Sequence, residues 1–144
     1  MGRVPRNRGR VLTMIGALCR EGFRAMMTIE GGTTGEVFLH FVAHHLVPKL
    51  RRGDVVVMDN LAAHHATGVR EAIERVGARV EYLPPYSPEL NPIELGWSKV
   101  KGVLNRIGAR TVPRLVRAVR VAIAAVTPQD GAGWFAHSGY PQPR

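Results

Sequence analysis

The sequence has little that would cross-link the chain or anchor it in a membrane. It contains one cysteine among 144 residues, Cys19, which rules out a disulfide within the chain. Cys19 lies in an apolar run, a setting that is typical of a buried and unreactive thiol. No apolar run approaches the ~18 residues that a membrane-spanning helix needs, and no signal peptide opens the chain. We therefore expect a cytoplasmic protein with no membrane partner.

Acidic residues are also scarce. Eleven Asp and Glu stand against twenty Lys and Arg, which gives a net charge of +9. A basic surplus of this kind favours a polyanionic partner such as DNA. The alternative is that many of the arginines simply solvate the surface.

The first ten residues are basic and contain no acid. Four arginines lie among glycine and proline in this segment: Arg3, Arg6, Arg8 and Arg10. Such a composition predicts an extended or mobile arm, separate from a single domain at residues 11–144. The arm either follows a DNA backbone by neutralising phosphates or has no task of its own.

Short apolar runs alternate with amphipathic segments along the rest of the chain, which predicts an α/β fold. The expected strands are a hairpin of Val11–Cys19 and Phe23–Ile29 that turns at Gly22, a buried strand Val55–Met58, and a strand over 79–83. Helices are expected from Thr33 or Thr34, near Val69, after Asn91, from Thr111 and after Thr127.

Two carboxylates stand at the ends of predicted elements. Asp59 follows the strand Val55–Met58, and open α/β sheets place their sites at the carboxyl ends of strands. Glu94 falls in the first turn of the helix that Asn91 would cap. The alternatives are a loop or capping residue for Asp59 and, for Glu94, a capping-box glutamate that reaches back to the Asn91 amide.

The remaining candidates are histidines and basic side chains. His40 and His44 have the i, i+4 spacing of a helical metal site, but a solvated helix face explains them at least as well. His64 is a candidate for DNA contact or for a supporting role beside Asp59. The alternatives for a row of arginines are a solvated face and a phosphate track, which Lys99 and Lys101 on the preceding helix would extend. The row begins at Arg110, just before the helix from Thr111, and continues along it with Arg114, Arg117 and Arg120.

Three segments together, VVVMDNLAAHH, PPYSPELNPIE and WSKVK, resemble the catalytic core of mariner-like bacterial insertion-sequence transposases. These belong to the DDE superfamily, so the resemblance implies a ribonuclease-H-like mixed sheet flanked by helices. By this resemblance, Asp59 matches the second catalytic aspartate of the family and Glu94 matches its catalytic glutamate. Both would bind Mg²⁺ or Mn²⁺ in a two-metal site that serves DNA cleavage and strand transfer.

The chain departs from the family pattern in one respect. The first catalytic aspartate, on the central strand of the family fold, has no counterpart, and the first acid of any kind is Glu21. We therefore expect the carboxyl-terminal part of a transposase catalytic domain, inactive alone and oligomeric. Its partners would be DNA and an upstream transposase segment or a full-length transposase. The alternative is a non-catalytic DNA-binding or regulatory remnant.

Overall fold

The computed structural model describes residues 2–5, 11–85 and 87–140. The chain divides into two compact units. The terminal unit consists of Met1–Gly32 with Pro92–Arg144, and the central unit is Thr33–Asn91. Within the described ranges, no helix is both long enough and apolar enough to cross a membrane.

The terminal unit contains a three-stranded antiparallel sheet in the order β1-β2-β3, in which β1 is Gly2–Pro5. Strand β2 is Val11–Cys19 and β3 is Gly22–Glu30. Gly22 has a φ of 122°, a backbone conformation that only glycine adopts without strain, so it allows the tight turn between them. The predicted hairpin is confirmed.

Part of the predicted basic arm is a strand. Gly2–Pro5 forms β1 and pairs with the start of β2, with Gly2 opposite Met14 and Pro5 opposite Val11. Backbone hydrogen bonds to a neighbouring strand order an extended segment whatever its side chains are, which composition alone does not reveal. Arg3 lies in β1, whereas Arg6, Arg8 and Arg10 fall outside the described residues.

Three helices complete the terminal unit: α3 at Ile93–Ile107, α4 at Val112–Ala124 and α5 at Pro128–His137. The predicted caps of α4 and α5 are confirmed, since Thr111 accepts from the Arg114 amide and Thr127 forms a capping box with Asp130. Helix α3 begins one residue later than predicted, with Pro92 rather than Asn91 as its cap residue.

The core of this unit forms where β2 packs with α3 and α4. Apolar residues at helical spacing on α3 and α4 turn one face of each helix inward, and that burial stabilises the unit. The buried cluster includes Leu12, Met14, Trp97, Val100, Val103, Leu104, Leu115, Ala118, Val119, Ala122 and Val126.

The central unit is a β-α-β arrangement preceded by a helical segment. Helix α1, Gly35–Phe41, is capped by Thr34 and continues through a π-helical turn, Val42–Leu46, and a 3₁₀ turn, Val47–Lys49. Strands β4, Val55–Met58, and β5, Arg79–Tyr82, are parallel and are connected through α2, Val69–Arg75. Parallel strands require such a crossover connection.

The expectation that Val55–Met58 is a buried strand is wrong for all but its last residue. Val55 is 44% exposed and only Met58, at 6%, is buried. Among the described strands β4 pairs with β5 alone, and a strand in a two-stranded sheet has an edge that no neighbour covers. The apolar run predicted a strand correctly but not its burial.

Candidate active site

Asp59 lies directly after β4, where the predicted strand end places it. Because β4 and β5 are parallel, both end at the same edge of their sheet, and the Leu83 amide donates to the Met58 carbonyl across that edge at 2.8 Å. The Asp59 side chain is 35% exposed. Its carboxylate is therefore held at the sheet edge and remains accessible to solvent.

The loop after Asp59 folds back onto the carboxylate. His64 Nδ1 lies 2.7 Å from Asp59 Oδ1 and 3.1 Å from the Asp59 carbonyl oxygen. The Leu61 amide donates to the same Oδ1 at 3.4 Å. A 3₁₀ turn, Ala62–His65, supplies the bend that brings His64 back.

His64 is itself tightly held. It is 6% exposed, and its ring centroid lies 4.4 Å from that of Phe38. Its backbone carbonyl accepts a hydrogen bond from the Tyr82 hydroxyl at 2.9 Å. This burial makes direct contact with DNA a poor explanation for His64, and the contact with Asp59 favours the supporting role that the sequence left open.

The electrostatics of the loop keep Asp59 ionised. The hydrogen bond from His64 lowers the pKa of the Asp59 carboxyl below its ordinary value, although partial burial acts in the opposite direction. A hydrogen bond to the charged form of a carboxyl favours that form. Asp59 is thus a carboxylate at neutral pH, as a metal ligand must be.

Glu94 lies in the first turn of α3, in the terminal unit, and is exposed. Helix α3 also carries buried residues, among them Trp97 and Val100, which fix the helix against the core. The Asn91 amide, which a capping-box glutamate would accept from, donates instead to the Pro88 carbonyl at 3.0 Å. The capping-box alternative for Glu94 is therefore not supported, and the Glu94 carboxylate points away from the core, where it can act as a ligand.

Metal-binding side chains do not gather in groups of three in the part of the chain that the structure describes. No cluster of three or more His, Cys, Asp or Glu side chains there could hold an ion. The rings of His40 and His44 lie 4.5 Å apart, and that of His45 lies 6.0 Å from His40. These histidines share one helical stretch, and the solvated helix face stays a prediction from the sequence.

The predicted basic track splits into residues with different surroundings. Lys99 forms an ion pair with Asp130, whereas Lys101 and Arg120 are exposed. Arg114 and Arg117 line a cavity of about 480 Å³ between the end of α3 and α4. Its lining, which we call the arginine groove, also contains Ile107, Gly108, Ala109, Arg110, Ala118 and Val121.

Three features of these surroundings carry no signal in the sequence. Phe38 and Tyr82 hold His64 but come from α1 and β5, and Asp130 lies 31 residues from its partner Lys99. Such contacts depend on how distant elements pack. Only the capping box of Thr127 and Asp130 follows a local spacing that the sequence displays.

We expect Asp130→Asn to destabilise the protein at neutral pH and to do so less in acid. The hydrogen bonds from Lys99 and from the Thr127 amide lower the pKa of the Asp130 carboxyl. A carboxyl whose pKa is lowered by folding stabilises the folded state at any pH above its pKa in the unfolded chain, which is about 3.9. This stabilisation is lost as the pH falls through the pKa of the carboxyl in the folded state.

The measurement is urea unfolding of the wild type and the variant at pH 7 and pH 3. Glu89→Gln, at an exposed loop position, is the matched charge-removing control. A free-energy difference between wild type and Asp130→Asn that is as large at pH 3 as at pH 7 would contradict the prediction.

Comparison with known protein families gives a match over most of the chain. The sequence matches the family model described as DDE superfamily endonuclease over residues 3–115, a range that includes Asp59 and Glu94. A search of curated proteins found no significant match.

Solved structures similar in fold include transposases and a retroviral integrase. The Mos1 transposase catalytic domain with raltegravir and Mg has 15% identity and a TM-score of 0.72, covering 99% of this chain and 82% of that one. A Mos1 transposase paired-end complex with the left transposon end has 14% identity and a TM-score of 0.71, and the match covers 96% of this chain and 47% of that one. The catalytic core domain of BIV integrase has 13% identity and a TM-score of 0.59, and the match covers 98% of this chain and 96% of that one. The TM-scores, rather than the low identities, establish a shared fold of the ribonuclease-H-like kind.

Proposed function

The chain belongs to the DDE superfamily endonuclease family, and from this membership we propose that it acts in DNA transposition through metal-dependent DNA cleavage and strand transfer. The observation that carries the proposal is Asp59, an ionised and accessible carboxylate at the end of β4 inside the family-matched range. Glu94, exposed in the first turn of α3, is the second proposed catalytic carboxylate.

DDE superfamily enzymes use divalent metal ions, and the two carboxylates fit such an ion chemically. Mg²⁺ prefers hard oxygen ligands and keeps several waters, so a few carboxylates suffice to bind it. We propose Mg²⁺ or Mn²⁺, with Asp59 and Glu94 as ligands. A pair of such ions supplies activation of the attacking oxygen and stabilisation of the leaving oxygen.

Catalysis by this chain alone is not expected, since the family's first aspartate has no counterpart in its sequence. The purified 144-residue protein should not nick supercoiled plasmid DNA in the presence of Mg²⁺ or Mn²⁺. Joining an aspartate-bearing segment upstream of Met1 should restore nicking. Metal-dependent cleavage by the 144-residue protein would show that the upstream aspartate is dispensable.

DNA is the proposed partner, and the arginine groove is the proposed main contact. Its three arginines, Arg110, Arg114 and Arg117, are exposed, and no acidic residue lines the cavity. Guanidinium groups bind phosphate oxygens in a bidentate manner. Lys101 and Arg120 would add contacts on the same two helices, whereas Lys99 would first have to leave Asp130.

We expect Arg114→Ala/Arg117→Ala to weaken duplex DNA binding in a salt-dependent way. Each phosphate contact that is lost reduces the magnitude of the slope of log K against log salt concentration by about 0.9. For the double variant, the magnitude of this slope should therefore be smaller by about 1.8. Fluorescence anisotropy of a labelled duplex at several salt concentrations measures this slope.

Arg70→Ala/Arg79→Ala is the matched control, because it removes the same charge from arginines that lie beside Glu74 and Glu81. If the loss in slope were equal for the two double variants, net charge rather than the groove would account for binding.

The structure of a similar transposase in complex with DNA suggests further partners for this chain. One Mos1 structure is a paired-end complex with a transposon end, and this chain covers 47% of that longer transposase chain. We propose an oligomeric assembly on DNA that includes an upstream transposase segment or a full-length transposase. A cytoplasmic location stays a prediction from the sequence.

A non-catalytic DNA-binding or regulatory role is the second candidate, and the missing family aspartate favours it. It predicts DNA binding that is unaffected by chelation or by Asp59→Asn. Binding that requires a divalent ion together with Asp59 and Glu94 would exclude this role.

A further inference from the structure

The contacts of Asp59 are unequal between its two carboxylate oxygens. Oδ1 accepts from His64 Nδ1 at 2.7 Å and from the Leu61 amide at 3.4 Å. Oδ2 receives no hydrogen bond from the residues that the structure describes. The loop therefore fixes Oδ1 and leaves Oδ2 without a hydrogen bond from those residues, on a side chain that is 35% exposed.

The proton on the His64 ring can be assigned from its neighbours. Both atoms near Nδ1, Asp59 Oδ1 and the Asp59 carbonyl oxygen, are acceptors. A neutral imidazole has one N–H donor, and the partners of the ring determine which nitrogen carries it. Nδ1 therefore carries the proton and donates it toward Asp59.

The ring has little freedom to turn away from this position. Phe38 packs against it at a centroid distance of 4.4 Å, and the Tyr82 hydroxyl holds the His64 carbonyl at 2.9 Å. The next residue, His65, is exposed, hydrogen-bonds to Asn60 and stacks on Tyr82. Of these two adjacent histidines, only His64 acts on the carboxylate.

We propose that His64 is a positioning residue: its Nδ1–H holds Oδ1 of Asp59, so that Oδ2 is the single oxygen presented to a divalent ion. The inference rests on the proposed function of Asp59 as a metal ligand. Ligating carboxylates are commonly oriented by such hydrogen bonds, and loss of the orienting partner typically costs 10- to 100-fold in metal affinity. Binding through one oxygen suits an ion that keeps several waters.

The test is Mn²⁺ titration of the full chain, followed by electron paramagnetic resonance of the free ion. His64→Leu should weaken the Asp59-dependent affinity by about 10- to 100-fold. His64→Asn, whose amide nitrogen occupies the place of Nδ1, should stay within a few-fold of the wild type. His64→Gln carries the same amide one bond further out and should resemble His64→Leu. His65→Leu is the matched control and should behave as the wild type.

The outcomes separate this inference from the proposed function. Wild-type affinity in His64→Leu, or equal weakness of His64→Asn and His64→Gln, would overturn the positioning role alone. Affinity that Asp59→Asn leaves unchanged would overturn Asp59 as a ligand and the inference with it. If His64→Leu does not fold, the positioning role is tested by the Mn²⁺ affinities of His64→Asn and His64→Gln, which should differ.

A second readout needs neither metal nor activity. Nitrogen-15 NMR of the histidine rings distinguishes a protonated Nδ1 from a bare one. We expect the His64 signal to show the proton on Nδ1 in the wild type. A ring with its proton on Nε2 alone would overturn the inference.

Discussion

Asp59→Asn and Glu94→Gln are each expected to abolish metal-dependent nicking in a chain that carries an upstream aspartate segment. Loss of an outer partner of a metal ligand already costs 10- to 100-fold, so loss of a ligand should exceed about 100-fold. The amide variants keep the shape of each side chain but remove the charge that binds the ion. The measurement is the initial rate of supercoiled plasmid nicking at saturating Mn²⁺.

Two neighbouring acids provide matched controls. Asp54 lies at the opposite end of β4 from Asp59, and its carboxylate accepts from the Arg51 amide at 2.8 Å. Glu89 is exposed in the turn before α3. Asp54→Asn and Glu89→Gln should keep near wild-type rates. Retention of activity in Asp59→Asn or Glu94→Gln would exclude that residue as a catalytic ligand.

Trp97→Ala is expected to lower the free energy of unfolding by about 3–5 kcal/mol, the usual cost of truncating a buried aromatic residue. Trp97 is 2% exposed, and its ring centroid lies 5.1 Å from that of Phe23. A Cβ added at Gly16 would lie 3.0 Å from the Trp97 indole, so β2 packs directly against the ring. The resulting cavity would lie where α3 meets the sheet.

Trp97→Phe separates ring packing from polarity. The buried indole nitrogen finds no hydrogen-bond partner among the described residues, and an unsatisfied buried donor costs about 1–3 kcal/mol. Phenylalanine removes that donor and keeps an aromatic ring, so we expect a clearly smaller loss than for alanine. Urea unfolding followed by the fluorescence of Trp134, the second of two tryptophans, measures both. Equal losses for the two variants would contradict the packing argument.

Local signals in the sequence predicted most of the elements. The hairpin with its turn at Gly22, the strand before Asp59 and the caps at Thr111 and Thr127 all follow from residues that lie close together in the chain. Turn and cap residues act on the backbone within a few positions, so their effect is visible without a fold. The β1 strand was not predicted because its order comes from pairing with β2.

The motifs around Asp59 and Glu94 also led to the family and fold, both of which are confirmed. The roles of these two residues, and of the basic side chains, stay predictions. For the basic residues, the structure separates what the sequence had grouped: Lys99 is paired with Asp130, while Arg114 and Arg117 line the groove.

The sequence by itself determined the element types, the basic surplus and the placement of Asp59 directly after a strand, because each depends on composition or on neighbours along the chain. Only the tertiary structure decided that His64 is buried and bonded to Oδ1 of Asp59, with Phe38 and Tyr82 holding it. Hydrogen bonds and ring contacts of this kind act over a few ångströms in space. The side chains that make them come from a helix and a strand that only folding brings together.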